Sequence, residues 1–359
     1  MTAGSKNKMN AFYNGFRRIC AVLVGLVFFV AGMLKLMDPV GTMLIVQEYL
    51  KFFHITFLSF LAKPMAVALS FAECMIGVAL ISGVWRKLVS WITMLFVAAF
   101  TIITLILLIF NPEMDCGCFG EAIHLTHLQT FLKNVALCIL SAAAFIPLKS
   151  SNAPRKAKYV GFGIATVIVI LFGLHSLTHL PLVDFATFPP QTEIFAAYED
   201  SGEEPGPILS FRDEYGDYCD EYAAFGPVML ISAYNPDKLS QKDWQRISDY
   251  VNESYLNGVN PMVLITAADL ENVPMEIRQN TYMTDYRTAI GLNRSNGGVT
   301  YLEDGTIISK WPAGRAPSGE EYTALVTEDA TEYSVAHTSK NRLWAQGTGI
   351  FCLAVLLLL

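Results

Sequence analysis

Cys116 and Cys118 stand one residue apart in the stretch Asn111-Pro112-Glu113-Met114-Asp115-Cys116-Gly117-Cys118-Phe119-Gly120. A disulfide closed over a single residue is strained, and strained disulfides accept electrons readily. The chemistry this suggests is thiol–disulfide exchange by a redox pair. Two other readings stay open on the residues alone. Gly117 and Gly120 bracket Cys118 and permit a tight turn, so the motif serves equally well as a compact structural loop. With His124 and His127 the cysteines also form a Cys-x-Cys-x5-His-x2-His array. Such donors suit zinc or copper(I), although the spacing is not that of a standard zinc motif.

A second candidate is Glu73, which lies inside a long apolar run beside Cys74. An ionisable group within a membrane span is costly and by default a functional candidate. Glu73 is read either as a protonated acid bonded to a neighbouring helix or as a proton acceptor beside a quinone-like ligand, the two-electron partner that disulfide chemistry needs. Lys35, near the end of its run, is expected to snorkel to the surface or to pair with Asp38. His175 and His179 are four residues apart and share a helix face, which suits an interfacial pair bonded to backbone and water. Cys20, Cys74, Cys138 and Cys352 fall in apolar runs and read as small buried hydrophobes.

These residues need a frame, and the composition indicates which kind. Of 359 residues 53% are apolar and only 16% charged, which points to a multi-span membrane protein. The net charge of −7 resides mostly in the later part of the chain and argues against nucleic-acid binding. Apolar runs at 19–37, 57–83, 88–110, 128–148, 159–177 and 343–359 each have about the length needed to cross a hydrocarbon core of roughly 30 Å. The first is read as an uncleaved span, because no small-residue cleavage site follows it. Lys and Arg concentrate in the amino terminus, the 85–87 turn and the 149–158 connector. By the positive-inside rule, the amino terminus is cytoplasmic, while the cysteine loop and residues 181–341 are extracytoplasmic.

Residues 181–226 are rich in Pro, Gly and acidic side chains and read as a linker that supplies an edge strand near 208–211. Beyond it the pattern predicts a strand at 227–234, a helix capped by Ser240, a strand at 261–266, a weak helix around 272–283, a hairpin turning at Asp304-Gly305 and a last helix from Ser318. This order is that of an α/β thioredoxin-like sandwich. Tyr234-Asn235-Pro236-Asp237 stands where a redox thioredoxin carries its cysteines, so the domain is expected to bind a partner and not to exchange disulfides itself.

Gly25 to Gly32 with Lys35 and Asp38-Pro39, then Glu73, then Asp115-Cys116-Gly117-Cys118-Phe119-Gly120, resemble the DoxX/MauE membrane family. The likeness covers residues 12–150 as a four-helix transmembrane bundle. The whole layout is similar to a bacterial subgroup with a fifth span at 158–180, the 181–226 linker, a thioredoxin-like domain at 227–330 and a carboxy-terminal span at 343–359. Arg294 to Gly298 before the hairpin resembles that domain's substrate-loop segment, with Gly297 where a proline is expected. The resemblance implies an inner-membrane protein that is a thiol–disulfide oxidoreductase or a subunit of a quinone-linked oxidoreductase. In that reading Cys116 and Cys118 are the redox pair, Glu73 is a buried proton-handling or structural group, an extracytoplasmic protein is the partner, and the acceptor is open, with a quinone as one candidate. The chain has no Cys-x-x-Cys, the pair that ordinarily passes electrons to quinone in similar four-span bundles. The alternatives are a non-catalytic membrane scaffold with an outer interaction domain, or a metal-handling membrane protein.

Overall fold

The computed structural model describes residues 3–146, 156–194, 209–266, 270, 273–327, 332–333 and 347. The chain divides into two compact units, with the boundary in sequence between Thr178 and His179.

The first unit is helical: α1 (Ala3–Met37), α2 (Pro39–Phe52), α3 (Ala62–Ser82), α4 (Arg86–Phe110), α5 (His127–Phe145) and α6 (Lys156–Thr178). Among the described residues, five segments are long and apolar enough to cross a membrane: Phe12–Met37, Thr56–Ser82, Arg86–Phe110, His127–Phe145 and Lys156–Thr178. They match the first five apolar runs. Apart from residue 347, the sixth run at 343–359 lies outside the described residues. Leu88, Trp91, Leu95, Ile102 and Ile109 are exposed along α4, as expected of a helix face turned to lipid.

Glycine decides how closely α1 and α3 approach. In lipid, helices gain little from burying apolar surface against one another, so close backbone contact through small residues matters more. A β-carbon at Gly32 would stand 2.6 Å from both the Cys74 sulfur and the Ser70 carbonyl oxygen, and one at Gly77 would stand 2.6 Å from the Phe29 nitrogen. Only glycine fits this seam. Gly83, at φ 76°, then ends α3 in the left-handed region, a conformation glycine adopts at little cost.

The stretch 38–56, which lies between the first two apolar runs, is mostly helix. Asp38 caps α2 by accepting from the Gly41 N–H at 2.8 Å, and Pro39 occupies the first turn, where its missing donor costs nothing. The capping signal is present in the sequence, but the run is too short to span a membrane and so does not stand out by length and apolarity.

The second unit holds a five-stranded sheet. Its strands are β2 (Pro227–Ala233), β3 (Asn260–Ile265), β4 (Thr281–Met283), β5 (Gly298–Glu303) and β6 (Thr306–Trp311), in the order β4-β3-β2-β5-β6. β2 is parallel to β3, β3 is parallel to β4, and β5 runs antiparallel to both β2 and β6. The hairpin turns at Asp304 and Gly305, with φ of 44° and 73°, as a tight two-residue turn requires. The helix expected around 272–283 is a 3-10 turn, Met275–Asn280, that runs into the edge strand β4.

Side chains alternate across the sheet, and both faces are covered. Met229, Ile231, Val263, Ile265 and Tyr301 pack with Trp244, Ile247 and Val251 of α7 (Gln241–Leu256) and with Tyr322 and Leu325 of α8 (Glu320–Thr327). Val228, Leu230, Met262, Leu264 and Leu302 pack on the other side with Phe188, Ile194, Leu209, Phe211, Cys219 and Ala223. Segment 181–226, read as a linker, thus supplies much of the second core. Its strand-like contacts to the sheet are Arg212 bridging to Met283 at the β4 edge and Glu193 bridging to Thr306 of β6, while Ile208 lies outside the described residues. Pro and Gly give the segment the look of a linker, yet its few apolar residues are enough to cover one face of a sheet.

Gly77→Ala should destabilise the helical unit by about 1–3 kcal/mol through overpacking, whereas Gly163→Ala, with nothing within 4 Å of the added carbon, should leave it unchanged. Thermal unfolding of the two variants in detergent checks the contrast.

Candidate functional site: a thiol and an imidazole on a pinned loop

The cysteine loop joins α4 to α5. Asn111 ends α4 at φ 41°, and its N–H donates to the Leu107 carbonyl at 2.8 Å. At the far end Thr126 and Gln129 form a capping box, which makes His127 the first residue of α5. Both ends of the loop are therefore fixed by ordinary helix chemistry.

The middle of the loop is pressed onto α1 and α2. Gly117 has φ 61°, and any side chain there would collide with Ile45 of α2. A β-carbon at Gly120, with φ 63°, would lie 3.5 Å from Lys35 Cγ. The Tyr49 hydroxyl donates to the Cys116 carbonyl at 2.8 Å. Lys133 lies over the Phe119 ring at 4.8 Å from its centroid. The turn that the two glycines permit is thus held from several sides, with α2 as its platform.

The two thiols sit differently. Cys116 is 6% exposed, whereas Cys118, on the short extended segment β1 (Cys118–Glu121), is partly accessible. Cys116 Sγ lies 3.0 Å from His127 Nδ1, and His127 Nε2 lies 3.0 Å from the Pro112 carbonyl oxygen. A carbonyl only accepts, so Nε2 carries a proton. In the neutral ring Nδ1 is then an acceptor for the Cys116 S–H. In the charged ring it donates to the thiolate. Burial pushes the Cys116 thiol up from its ordinary value, and the nearby Thr130 hydroxyl acts in the opposite direction.

His124 goes elsewhere. Its Nδ1 pairs with Asp115 at 3.1 Å in an exposed contact. The Cys116, Cys118, His124 and His127 array considered for metal is thus divided into Cys116 with His127 and Asp115 with His124. Among the described residues no group of three or more His, Cys, Asp or Glu is gathered to hold a metal ion. The spacing in sequence does not reveal that His127 heads a helix while His124 precedes it.

Glu73 is buried, 2% exposed, and receives Lys35 Nζ on both carboxylate oxygens at 2.7 and 2.8 Å. This corrects the expectation for Lys35, which neither snorkels outward nor pairs with Asp38, the residue that caps α2. Glu73 is bonded to a neighbouring helix, as one of its two readings had it, with Lys35 of α1 as the partner. The cause is the glycine seam, which brings α3 against the last turn of α1. Phe100 of α4 closes the pocket, with its ring 5.9 Å from Lys35 Nζ. Next to it, Asn134 of α5 donates to Thr104 Oγ1 at 3.1 Å and to the Phe100 carbonyl at 3.3 Å. His175 lies exposed in the last turn of α6. Cys20 and Cys74 are buried, as their apolar surroundings suggested, whereas Cys138 is partly exposed and Cys352 lies outside the described residues.

Taken together these features describe a multi-pass membrane protein with a mixed-sheet domain. Residues 13–147, which include the cysteine loop and the Lys35–Glu73 pair, match the family model described as methylamine utilisation protein MauE. The MauE side of the likeness expected over 12–150 is thereby found. No curated protein and no solved structure matches the chain.

Sequence reasoning missed His127 as a partner of Cys116. The Thr126-x-x-Gln129 box is legible and places the imidazole at a helix start, but the Pro112 turn that brings Cys116 back to it is not.

Removing one member of a buried ion pair typically costs about 3–5 kcal/mol, while replacing both with apolar residues can be nearly neutral. Glu73→Ala should therefore lower stability in detergent severely, and Lys35→Met with Glu73→Leu should recover most of it. A double-mutant cycle on thermal unfolding measures the coupling.

Proposed function

We propose that this protein exchanges thiols and disulfides at the outer face of the cytoplasmic membrane through Cys116 and Cys118. The observation that carries the reading is the unequal environment of the pair: one thiol is buried against an oriented imidazole, and its neighbour is within reach of solvent. Nucleophile, base and a third group orienting the base are the usual parts of an activated thiol. The basic amino terminus and 85–87 turn support an outward-facing loop.

The sheet domain is read as thioredoxin-like and as a recruiter of an extracytoplasmic protein. A parallel pair followed by an antiparallel hairpin, with α7 between the parallel strands, supports that reading. Gly297 adopts φ 78° and donates its N–H to the Ser232 carbonyl at 2.7 Å. Proline can do neither. The loop opposite Asn235 is instead closed by Asn296, whose side chain bonds the Asn235 N–H and carbonyl at 3.0 and 2.8 Å. This supports partner binding without disulfide exchange in the domain itself.

Glu73 enters the site through Lys35, whose stem carries the Gly120 turn, and in this reading the pair is the buried proton-handling group. Lys35 and Asn134, donors that a quinone's carbonyls would call on, are both committed to protein acceptors. No step is therefore routed through a quinone.

Maleimide labelling of whole membranes, before and after mild reduction, tests the reading. We expect the loop thiols to be partly blocked and to be freed by gentle reductant. Cys118→Ser should abolish this reductant-dependent labelling together with activity in an oxidative-folding assay. Thiols that label fully under every condition would exclude the exchange role.

A further inference from the structure

Resting on the exchange reading, we infer that the two cysteines have fixed and different roles. Cys118 is the sulfur that joins a partner protein, and Cys116 is the internal nucleophile that resolves the mixed disulfide, with His127 as its base and Thr130 as the hydroxyl that holds the thiolate.

Three observations independent of the cysteine spacing support this assignment. First, the hydrogen-bond partners of His127 are arranged for proton transfer. With Nε2–H fixed on the Pro112 carbonyl, the neutral ring presents Nδ1 to the sulfur at 3.0 Å. Once it has taken the proton, both N–H groups already have acceptors, and no group need move. Second, the fully buried Thr130 hydroxyl has no hydrogen-bond partner of full geometry among the described residues. It stands one helical turn beyond His127 on the same face of α5, close enough to the Cys116 sulfur to act on it. A buried hydroxyl left in this state is costly unless it gains an acceptor, and a thiolate at Cys116 is one. Third, Cys118 is more exposed and has neither group, so an incoming sulfur reaches it first.

The other groups around the thiol do not supply a competing base. Tyr49 of α2 donates to the Cys116 carbonyl, Asp115 is paired with His124, and Lys133 of α5 covers Phe119. Lys35 of α1 is bound to Glu73.

At the start of the resolving step Cys118 is joined through an S–S bond to a sulfur of the partner, whose own disulfide is the oxidant. The Cys116 S–H passes its proton to His127 Nδ1, and the thiolate attacks the Cys118 sulfur. The bond from Cys118 to the partner breaks as the Cys116–Cys118 bond forms. The partner's sulfur leaves as a thiolate and takes up the proton from His127. The loop sulfurs give up two electrons, which the partner's disulfide gains over the full cycle. In reverse, the same steps oxidise a partner dithiol.

Two measurements on the full-length protein in detergent test the assignment. The first is alkylation of Cys116 by iodoacetamide in a Cys118→Ser background, followed by mass spectrometry across the pH range that spans imidazole and thiol titration. Relative to that background with His127 intact, His127→Gln should slow the reaction near neutral pH by about tenfold or more, because no base remains beside the thiol. It should leave the single steep rise of a buried thiol at higher pH. Thr130→Val should move the rise further up, and Thr130→Ser should restore it. The second uses glutathione disulfide as the probe sulfur: Cys116→Ser should accumulate a stable Cys118 adduct, while Cys118→Ser should not accumulate one on Cys116. Superimposable pH profiles with and without His127→Gln, in proteins of equal thermal stability, would overturn the role of His127 without touching the exchange reading. Adducts on Cys116 in preference to Cys118 would overturn the order of the two thiols. A loop that forms adducts on neither variant would remove the exchange reading itself, and this step with it.

Discussion

Lys35 and Glu73 meet inside a bundle whose outer helix faces are apolar, and neither charge reaches water. Such a pair is stable only while both partners are present and the helices that carry them stay in contact. Gly25, Gly32 and Gly77 meet that condition by letting α1 and α3 approach at backbone distance. α1 ends two residues beyond Lys35, ahead of Pro39, which has no N–H to continue it. Thr42 donates its hydroxyl to the Lys35 carbonyl at 3.1 Å, Asp38 caps the next helix, and α2 leaves at the level where the cysteine loop must rest. The loop turns on the Lys35 stem at Gly120 and on Ile45 at Gly117. A charge pair and a few glycines thus position a thiol that neither of them touches.

The loop shows how two cysteines one residue apart acquire separate environments. In an extended chain their surroundings would be nearly the same. Here the positive φ at Gly117 turns the backbone between them. Cys116 faces the first turn of α5 and Cys118 faces outward. The imidazole is held by the Pro112 carbonyl, at the start of the same loop, so the loop provides both the nucleophile and the group that orients its base. Burial favours the protonated thiol. A reactive Cys116 must therefore draw on His127 and Thr130 and not on an intrinsically acidic sulfur.

The sheet domain is constructed by different means. Its central strands are buried on both faces, and the second face is covered by residues 184–223 as far as they are described, with little regular structure of their own. At the adjoining ends of β5 and β6 a side chain replaces strand pairing: Asn293 donates to the Val299 and Trp311 carbonyls at 3.0 and 3.1 Å and accepts from the Ser295 N–H at 2.9 Å. Polar groups that a regular strand would satisfy by pairing are satisfied here by one buried amide.

Much of this was legible in the chain itself. Five spans follow from run length and apolarity, because lipid leaves a helix no other way to satisfy its backbone. The strands of the second unit other than β4 follow from short apolar runs between turn residues, and the Asp304-Gly305 hairpin from its required positive φ. Cys116, Cys118 and Glu73 stood out by residue type and setting alone. Tertiary structure decided everything that depended on which side chains meet across long separations. It paired Lys35 with Glu73, 38 residues away, gave Cys116 its imidazole and sent His124 to Asp115. It also drew the supposed linker into a core. Periodicity reports which face of an element is buried, whereas the identity of the neighbour depends on packing between elements, which no local pattern encodes.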